Sequence, residues 1–488
     1  MSFRVTHTKS RELSSEDDEG LYKNNIVEIP LDDPDCPLSW SMKKRILHTI
    51  AFGVTTLSAQ FNSTILSPAV PQLAKQFNVG LIVAILPISC YVLGNGIGPM
   101  LFAPVSEVRG RKVGVLVPYT ISAILQMFVA VSDSIAAVIV IRFFAGVFAA
   151  APIVTSGAAM ADLWKAQHRA TALVLYASFI VMGSSLAPIF GALLVDSSSY
   201  GWRWCCWLGG LLGFIVGVTN MLLLSETYLP VLASRRARAL RLATGNWALH
   251  AHHDEWSLSW HEFFKVHCAR PILMFLTPIV FLMALFASFS YGLMFLVITS
   301  VGDNFHKVKG FEGAAQYCPL ICNFLGFCSG GLANIACSNF YARKMAENDG
   351  RPIPENRLLA MMALSWTLPG GCFLYGWTLR EDVHWIVPCI GIFLIGVGIA
   401  VIFQGALNYI VDCYTRYGAS AIAANTLLRS IFGGVFPLFA TQMYNALGVG
   451  WASSVMGFAG LFLVPISFIF YFYGSHARKF DPYKSLLT

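Results

Sequence analysis

Charge is scarce in this sequence. Asp, Glu, Lys and Arg make up 12% of its 488 residues, about half the share of an ordinary soluble domain. No carboxylate falls in the middle of any long apolar run, so a lipophilic cation would find nothing at bilayer depth to neutralise it. The patterns G-x-x-x-x-G-K-[ST], H-E-x-x-H and G-x-S-x-G are also missing. Their absence argues against a nucleotide-driven pump in one chain and against an intramembrane enzyme. The twelve cysteines form no C-x-x-C. Most, such as Cys90, Cys318, Cys322, Cys328 and Cys389, lie inside apolar runs, where cysteine behaves as a small apolar residue. No cleavable signal is evident. The first 40 residues are polar, with "RELSSEDDEG" and "DDPDCPLSW", and read as a cytosolic, disordered tail.

Apolar length is what the sequence has instead. A spanning helix needs about 20 mostly apolar residues. Twelve stretches qualify: 46–74, 76–106, 113–132, 134–161, 171–195, 204–225, 271–302, 313–342, 358–379, 383–411, 417–447 and 450–473. Ten carry no charge; the fourth holds Arg142 and the eleventh Arg429. The expected fold is therefore an all-α membrane protein of twelve transmembrane helices. The longest polar interruption, 226–270, splits them six and six. The expected units are a tail at 1–44, a six-helix bundle at 45–225, a central loop at 226–270, a second bundle at 271–473 and a tail at 474–488. Pseudo-symmetric halves of this kind hold a substrate near the bilayer midplane between them. Of the 33 Lys and Arg, 26 fall in the tails and in the loops after even-numbered spans. The opposite loops hold five: Lys75, Arg203, Lys307, Lys309 and Arg380. The positive-inside rule then places both termini in the cytoplasm.

Within the central loop, "SRRARALRLATG" suits a short basic helix, an anchor near anionic lipid in preference to a regulatory site. "HAHHDEW" gathers His250, His252, His253 and Asp254, but nothing there fixes the geometry a metal needs, so no metal is expected.

Several stretches, taken in order, resemble one family. "APVSEVRGRKVG" resembles the loop between helices 2 and 3 of the major facilitator superfamily, in the version found in fungal twelve-spanner drug:proton antiporters. "DDPDCPLSWSMKKR", "IRFFAGVFAAAPIVTSGAAMADLW", "YGWRW", "SETYLPVLASRRARALR" and "AANTLLRSIFGGVFPLFATQMYNALGVGWASS" agree with the same family, over about residues 32–474. The resemblance implies a proton-coupled exporter of a hydrophobic small molecule such as a drug, toxin or secondary metabolite, working by alternating access. It would need no cofactor beyond the proton gradient and no nucleic acid, and would act as a monomer in the plasma membrane. An organic-acid or polyamine carrier of the same family is the alternative, and a transporter-like sensor a further one.

Particular residues carry these expectations. Gly94, Gly96 and Gly98 let another helix approach α-helix 2 closely, and Gly110 permits a tight turn. In the family this loop latches the two halves, which implies that role for Glu107, Gly110 and Arg111; a topological anchor is the plainer reading. Ala103 and Arg109 depart from the family pattern. Arg142 corresponds to an arginine assigned to proton coupling; it could equally be structural, bonded to backbone carbonyls or to Gln60 and Asn62 on the first helix. Gly183, Pro188 and Gly191 resemble a helix 5 antiporter motif that goes with export, with Ala187 replacing a glycine. Arg429, in "NTLLRS", reads as structural or near the inner gate, with Asn425 one turn before it. Glu226, Asp162 and Asp412 at helix ends are gate or latch partners, or merely solvated. The expected substrate cavity is polar-neutral and aromatic: Gln60, Asn62, Asn95, Tyr176, Tyr291, Asn323, Trp366, Gln404, Asn408 and Tyr409.

Overall fold

The computed structural model describes residues 22–23, 25–30, 32–197, 201–255, 269–347, 353–414 and 418–478. Among them, ten helices are long and apolar enough to cross a bilayer. One of these, Ser420–Gly474, contains two spans. It turns back at Gly448, whose φ of 74° and ψ of 166° are not helical. Tyr444 and Ser453 touch across the turn at 3.5 Å, a contact no straight helix allows nine residues apart. The remaining span, Met42–Thr64, carries Thr55, Thr56, Ser58, Gln60, Asn62, Ser63 and Thr64, all buried. Its polar side chains keep it below the apolarity of the others because they face protein.

We number the spans α1 (Met42–Thr64), α2 (Leu81–Arg109), α3 (Arg111–Ala130), α4 (Ile135–Leu163), α5 (Ala166–Ser197) and α6 (Gly201–Leu223). In the second half come α7 (Pro278–Lys309), α8 (Leu320–Glu347), α9 (Leu359–Leu364 continued by Thr367–Thr378) and α10 (Ile386–Cys413). The two limbs of Gly418–Leu463 either side of Gly448 are α11 and α12, the latter extended by Pro465–Ala477. Several bounds differ from the sequence expectation, α7 for one running from Pro278 to Lys309 rather than 271–302, and two of the differences have a plain local cause. α1 ends at Thr64 rather than near residue 74, since Pro68 and Pro71 turn the chain into a 3-10 segment, Ser67–Ala69, and a short helix, Val70–Gln76. α2 runs on through Glu107 to Arg109, ending where Gly110 takes a φ of 95°.

The two halves repeat one interlock. In the first, a Cβ on Gly94 would collide with the Phe143 carbonyl, and one on Gly98 with Val147 and Ala150. In the second, Gly326 stands in the same way against the Phe393 carbonyl, and Gly330 against Val397 and Ala400. Thus α2 packs on α4 as α8 packs on α10, backbone to backbone, through small residues. The halves meet along α2–α11, where Gly96 abuts Ser430 and Gly433 abuts Val92. They also meet along α5–α8, where Asn323 Nδ2 lies 3.4 Å from Ser185 Oγ. The most enclosed span is α7 and the least is α6.

At the basic end, the central loop folds as the sequence suggests. Leu229–Thr244 is helical and stops at Gly245, which adopts a left-handed conformation (φ 70°) and returns its N–H to the Arg241 carbonyl at 3.0 Å. The tail departs from expectation. Residues 1–21, 24 and 31 lie outside the described residues, but 25–30 and 32–41 are packed rather than loose. Tyr22–Lys23 pairs antiparallel with Ile26–Val27, and Ile26 bridges His250. Val27 N–H donates to the His250 carbonyl at 2.8 Å. Ile29 and Cys36 bury against Ala233 and Ala251, and Val27 against Ala237 and Leu249. Five-residue runs such as "LDDPD" look disordered because their acids seem unpaired; here Asp33 forms an ion pair with Arg236 of the loop helix.

Burial pushes the Asp33 carboxyl up, but the Arg236 hydrogen bond, the Asp35 N–H and the Arg236 charge outweigh it and hold the carboxyl below its usual range. A depressed folded pKa adds stability above the ordinary carboxylate value, about 3.9, which is lost as pH falls through the folded value. Docking of residues 25–41 should therefore hold steady from about pH 5 to 8 and weaken in stronger acid. Asp33→Asn or Arg236→Ala should raise amide hydrogen exchange in residues 25–30 at neutral pH and remove that acid-induced step.

Candidate functional site

A helix leaves its last four carbonyls without internal donors. At the end of α1, Pro68 removes one donor that might have served them. Arg142 of α4 supplies the missing donors from the side. One terminal nitrogen donates to the Asn62 carbonyl at 2.7 Å and to Gln126 Oε1 at 3.0 Å. The other reaches the Ser63 carbonyl at 3.3 Å. Nε donates to the Pro87 carbonyl at 3.2 Å. The guanidinium lies 4.6 Å from the Tyr91 ring centre, and the side chain is fully buried. One cation thus joins α1, α2, α3 and α4, and completes the C-terminus of α1, where positive charge is favoured. None of these acceptors is a carboxylate. Of the partners named from sequence, α1 provides its backbone. The Gln60 side chain points to Tyr291 Oη at 3.4 Å, and Asn62 Nδ2 donates to the Gly209 carbonyl of α6 at 3.2 Å.

The helix 5 motif serves the same helix. A Cβ on Gly183 would strike the Leu57 carbonyl, and one on Gly191 the Ile65 carbonyl. Pro188 lacks an N–H, which frees the Ser184 carbonyl four residues earlier; Thr64 Oγ1 of α1 donates to it at 2.9 Å. The three motif residues bring α5 against α1.

Between the halves lies a narrow cavity. Ala177 and Val181 of α5, Tyr291 and Met294 of α7, Phe327 of α8 and Phe403 of α10 are among its walls, with Arg429 of α11. Arg429 is 7% exposed. Its guanidinium lies 4.7 Å from the Tyr291 ring centre and 5.0 Å from that of Phe403. Asn425, one turn away, does not bond to it; Asn425 Oδ1 and Arg429 Nε are both buried with no partner among the described residues.

The loop charges at the basic end are gathered within the first half. Glu226, just past α6, accepts the Arg111 N–H at 2.7 Å and the Lys112 N–H at 3.3 Å. It therefore sits on the positive N-terminus of α3. A Cβ on Gly110 would collide with its carboxylate. Arg111 Nε pairs with Asp162 at the end of α4 at 3.0 Å, and its guanidinium covers the Tyr228 ring at 4.5 Å. Glu107 lies in the field of Arg111 and Asp162. The second half repeats the pairing: Arg357 meets Asp412 at the end of α10 at 2.9 Å and covers Tyr341 at 3.8 Å. Expected as gate acids or solvated ends, Asp162, Glu226 and Asp412 each hold a helix terminus. No hydrogen bond or ion pair from Glu107 or Arg111 to the second half is present among the described residues; 415–417, before α11, lie outside them.

Not all expected cavity residues face the cavity. Tyr291 lines it, Gln60 bonds to Tyr291, and Asn323 spans α5–α8. Asn95 is buried with neither amide atom partnered, and Gln404 Nε2 likewise. Tyr176 turns to the Pro152 and Ile153 carbonyls at 3.0 and 2.6 Å. Asn408 is half-buried on α10. Three placements are corrected. Asn62 faces α6. Trp366 is 50% exposed and leans on Phe468 at 6.1 Å. Tyr409 packs on Phe470 at 6.1 Å inside the second half. Each has a polar atom that suits a cavity as well as a helix contact, and sequence alone does not give the rotation of a span with so little polar marking. Gln126, Phe327 and Phe403 were missed; the apolar ones carry no sequence signal that separates wall from core. The loop histidines do not converge: His253 meets Tyr228 and the Val108 carbonyl, and Asp254 pairs with Arg241 at 3.0 Å.

Two substitutions test this geometry. Arg142→Ala orphans buried carbonyls at about 1–3 kcal/mol each, so it should lower the thermal unfolding temperature strongly, and Arg142→Lys by less. Gly110→Ala, strained at φ 95° and blocked by Glu226, should cost about 1–3 kcal/mol.

Comparison with known proteins agrees with this architecture. The profile of the Major Facilitator Superfamily matches residues 52–437. The major facilitator superfamily multidrug transporter FLU1 of Candida albicans is 39% identical over 92% of this chain and 74% of its own length. The efflux pump bik6 of Gibberella fujikuroi is 35% identical over 96% of this chain and 97% of its own. The citrinin biosynthesis cluster MFS transporter mrr1 of Monascus ruber is 36% identical over 92% and 91%. Among solved structures, the human organic anion transporter MFSD10 (TETRAN) superposes with a TM-score of 0.55 over 88% of this chain and 100% of its own. At 18% identity it speaks for the fold alone. The chain belongs to the Major Facilitator Superfamily and is a multi-pass membrane transporter, not an enzyme.

Proposed function

We propose that this protein exports a hydrophobic small molecule, a drug or secondary metabolite, by proton-coupled alternating access. The observation that carries the reading is the cavity between the halves. It lies where α5, α7, α8, α10 and α11 converge and is walled by apolar and aromatic side chains, the lining expected for a large, mostly apolar ligand. Relatives named as a multidrug transporter and an efflux pump support export. The excess of Lys and Arg at the end bearing the central loop supports a cytoplasmic orientation for that end; the plasma membrane is the membrane proposed for it. A polyamine would need acids in the cavity, and none lines it among the described residues.

Arg142 stays charged at any physiological pH. In this reading its part in coupling is to hold α1 to α2, α3 and α4, so that the end of α1 moves with the helices around it; the proton is carried elsewhere. Reconstituted into liposomes, the protein should move an apolar drug against its gradient when a pH difference is imposed, and a protonophore should abolish that flux. Flux that is indifferent to the protonophore contradicts antiport.

A further inference from the structure

The two intramembrane arginines are treated in opposite ways. Arg142 has its donors spent on three carbonyls and an amide. Arg429 is nearly as buried and has no hydrogen bond or ion pair among the described residues; two ring faces are its company. A charge in such a position is costly unless something completes it. Cation–π contact supplies part of that, but it occupies the faces of the guanidinium and leaves its N–H edge unspent.

We propose that Arg429 is the anion-binding point of the central cavity, and that the preferred ligands are amphiphilic monoacids: an aromatic or alicyclic body bearing one carboxylate or acidic enol. The inference rests on the export reading for its cavity and narrows the substrate class within it. Three features set the class. The guanidinium fork matches a carboxylate in a bidentate pair, which a neutral amide or ester does not reproduce. No Asp or Glu lines the cavity among the described residues, so an incoming acid meets no like charge there and an incoming cation meets Arg429. The remaining walls, among them Val181, Met294, Phe327 and Phe403, are apolar and suit the body of the ligand. The rings of Tyr291 and Phe403 also hold the guanidinium in place before a ligand arrives, which lowers the entropy lost on binding. Gln60, joined through its amide nitrogen to Tyr291 Oη at 3.4 Å, steadies the same ring from α1.

The test uses the purified full chain and two matched probes, 2-naphthoxyacetate and its neutral amide, with binding followed by ligand-induced thermal shift and tryptophan quenching. The wild-type protein should bind the acid on the order of tenfold or more tighter than the amide, as for a hydrogen bond to a charged group. Arg429→Gln should erase that preference, bringing the affinity for the acid down to that for the amide, while Arg429→Lys should keep part of it. Arg429 holds no hydrogen bond among the described residues and loses only its two ring contacts on substitution, so the unliganded Arg429→Gln protein should stay folded, with a much smaller drop in unfolding temperature than Arg142→Ala shows. Equal binding of acid and amide by wild type, a preference that survives Arg429→Gln, or binding of neither probe would overturn the proposal. Equilibrium binding needs no gradient, so absent pH-driven flux with an intact acid preference indicts antiport alone. Intact flux of neutral compounds with no acid preference indicts the anion site alone.

Discussion

Inside a bilayer the chain must satisfy its own peptide groups, because no water reaches them. The end of α1 is where that demand is hardest to meet. α1 stops within the protein, its carbonyls at Asn62 and Ser63 aim into the bundle, and Arg142 is the group that answers them. Much of the first half follows. Gln126 is drawn to the same guanidinium, and Thr64 is free to answer the carbonyl that Pro188 exposes on α5. Glycines at 183 and 191 then let α5 lie against the stretch so secured. Charge here works as a local substitute for water, which is why it is tolerated at full burial without a counter-ion.

The second half copies the packing and alters the chemistry. The interlock of α2 with α4 recurs in α8 with α10, and the pair Arg111–Asp162 recurs as Arg357–Asp412. Next to each pair the signs are exchanged. Glu226 follows α6 and meets the amides of the loop, whereas Arg478 follows α12 and meets Glu355 of the corresponding loop at 2.6 Å. Small residues at helix crossings are geometric necessities and persist through the repeat. Charges at helix ends need only be complementary, so either sign can take either side.

The spans, their number and the basic end were legible in the sequence because each rests on a property summed over about 20 residues. So was the isolation of Arg142 and Arg429, since a charge in an apolar run is visible at once. What each arginine does was not. Carbonyls carry no letter of their own, so the acceptors of Arg142 could be named only as a possibility beside the side chains of Gln60 and Asn62, and those side chains went elsewhere. The rotations of Trp366 and Tyr409 were hidden for a related reason: helices apolar on every side have no polar stripe to mark which way they face. The docked segment 25–41 was read from its composition as disordered. Its partners, Arg236 and the Ala233–Ala251 patch, lie some two hundred residues away.

Gly448 has a bearing on how the chain fits the thickness of the membrane. The helical segment that contains it, Ser420–Gly474, is 55 residues long; drawn out straight it would measure about 80 Å, against a hydrocarbon core of about 30 Å. No loop of polar residues separates its two limbs, so both fit the core only because the chain reverses at Gly448. Nothing crowds Gly448, so its requirement for glycine is conformational: φ is 74° there. One backbone torsion therefore settles on which side of the bilayer α12 ends.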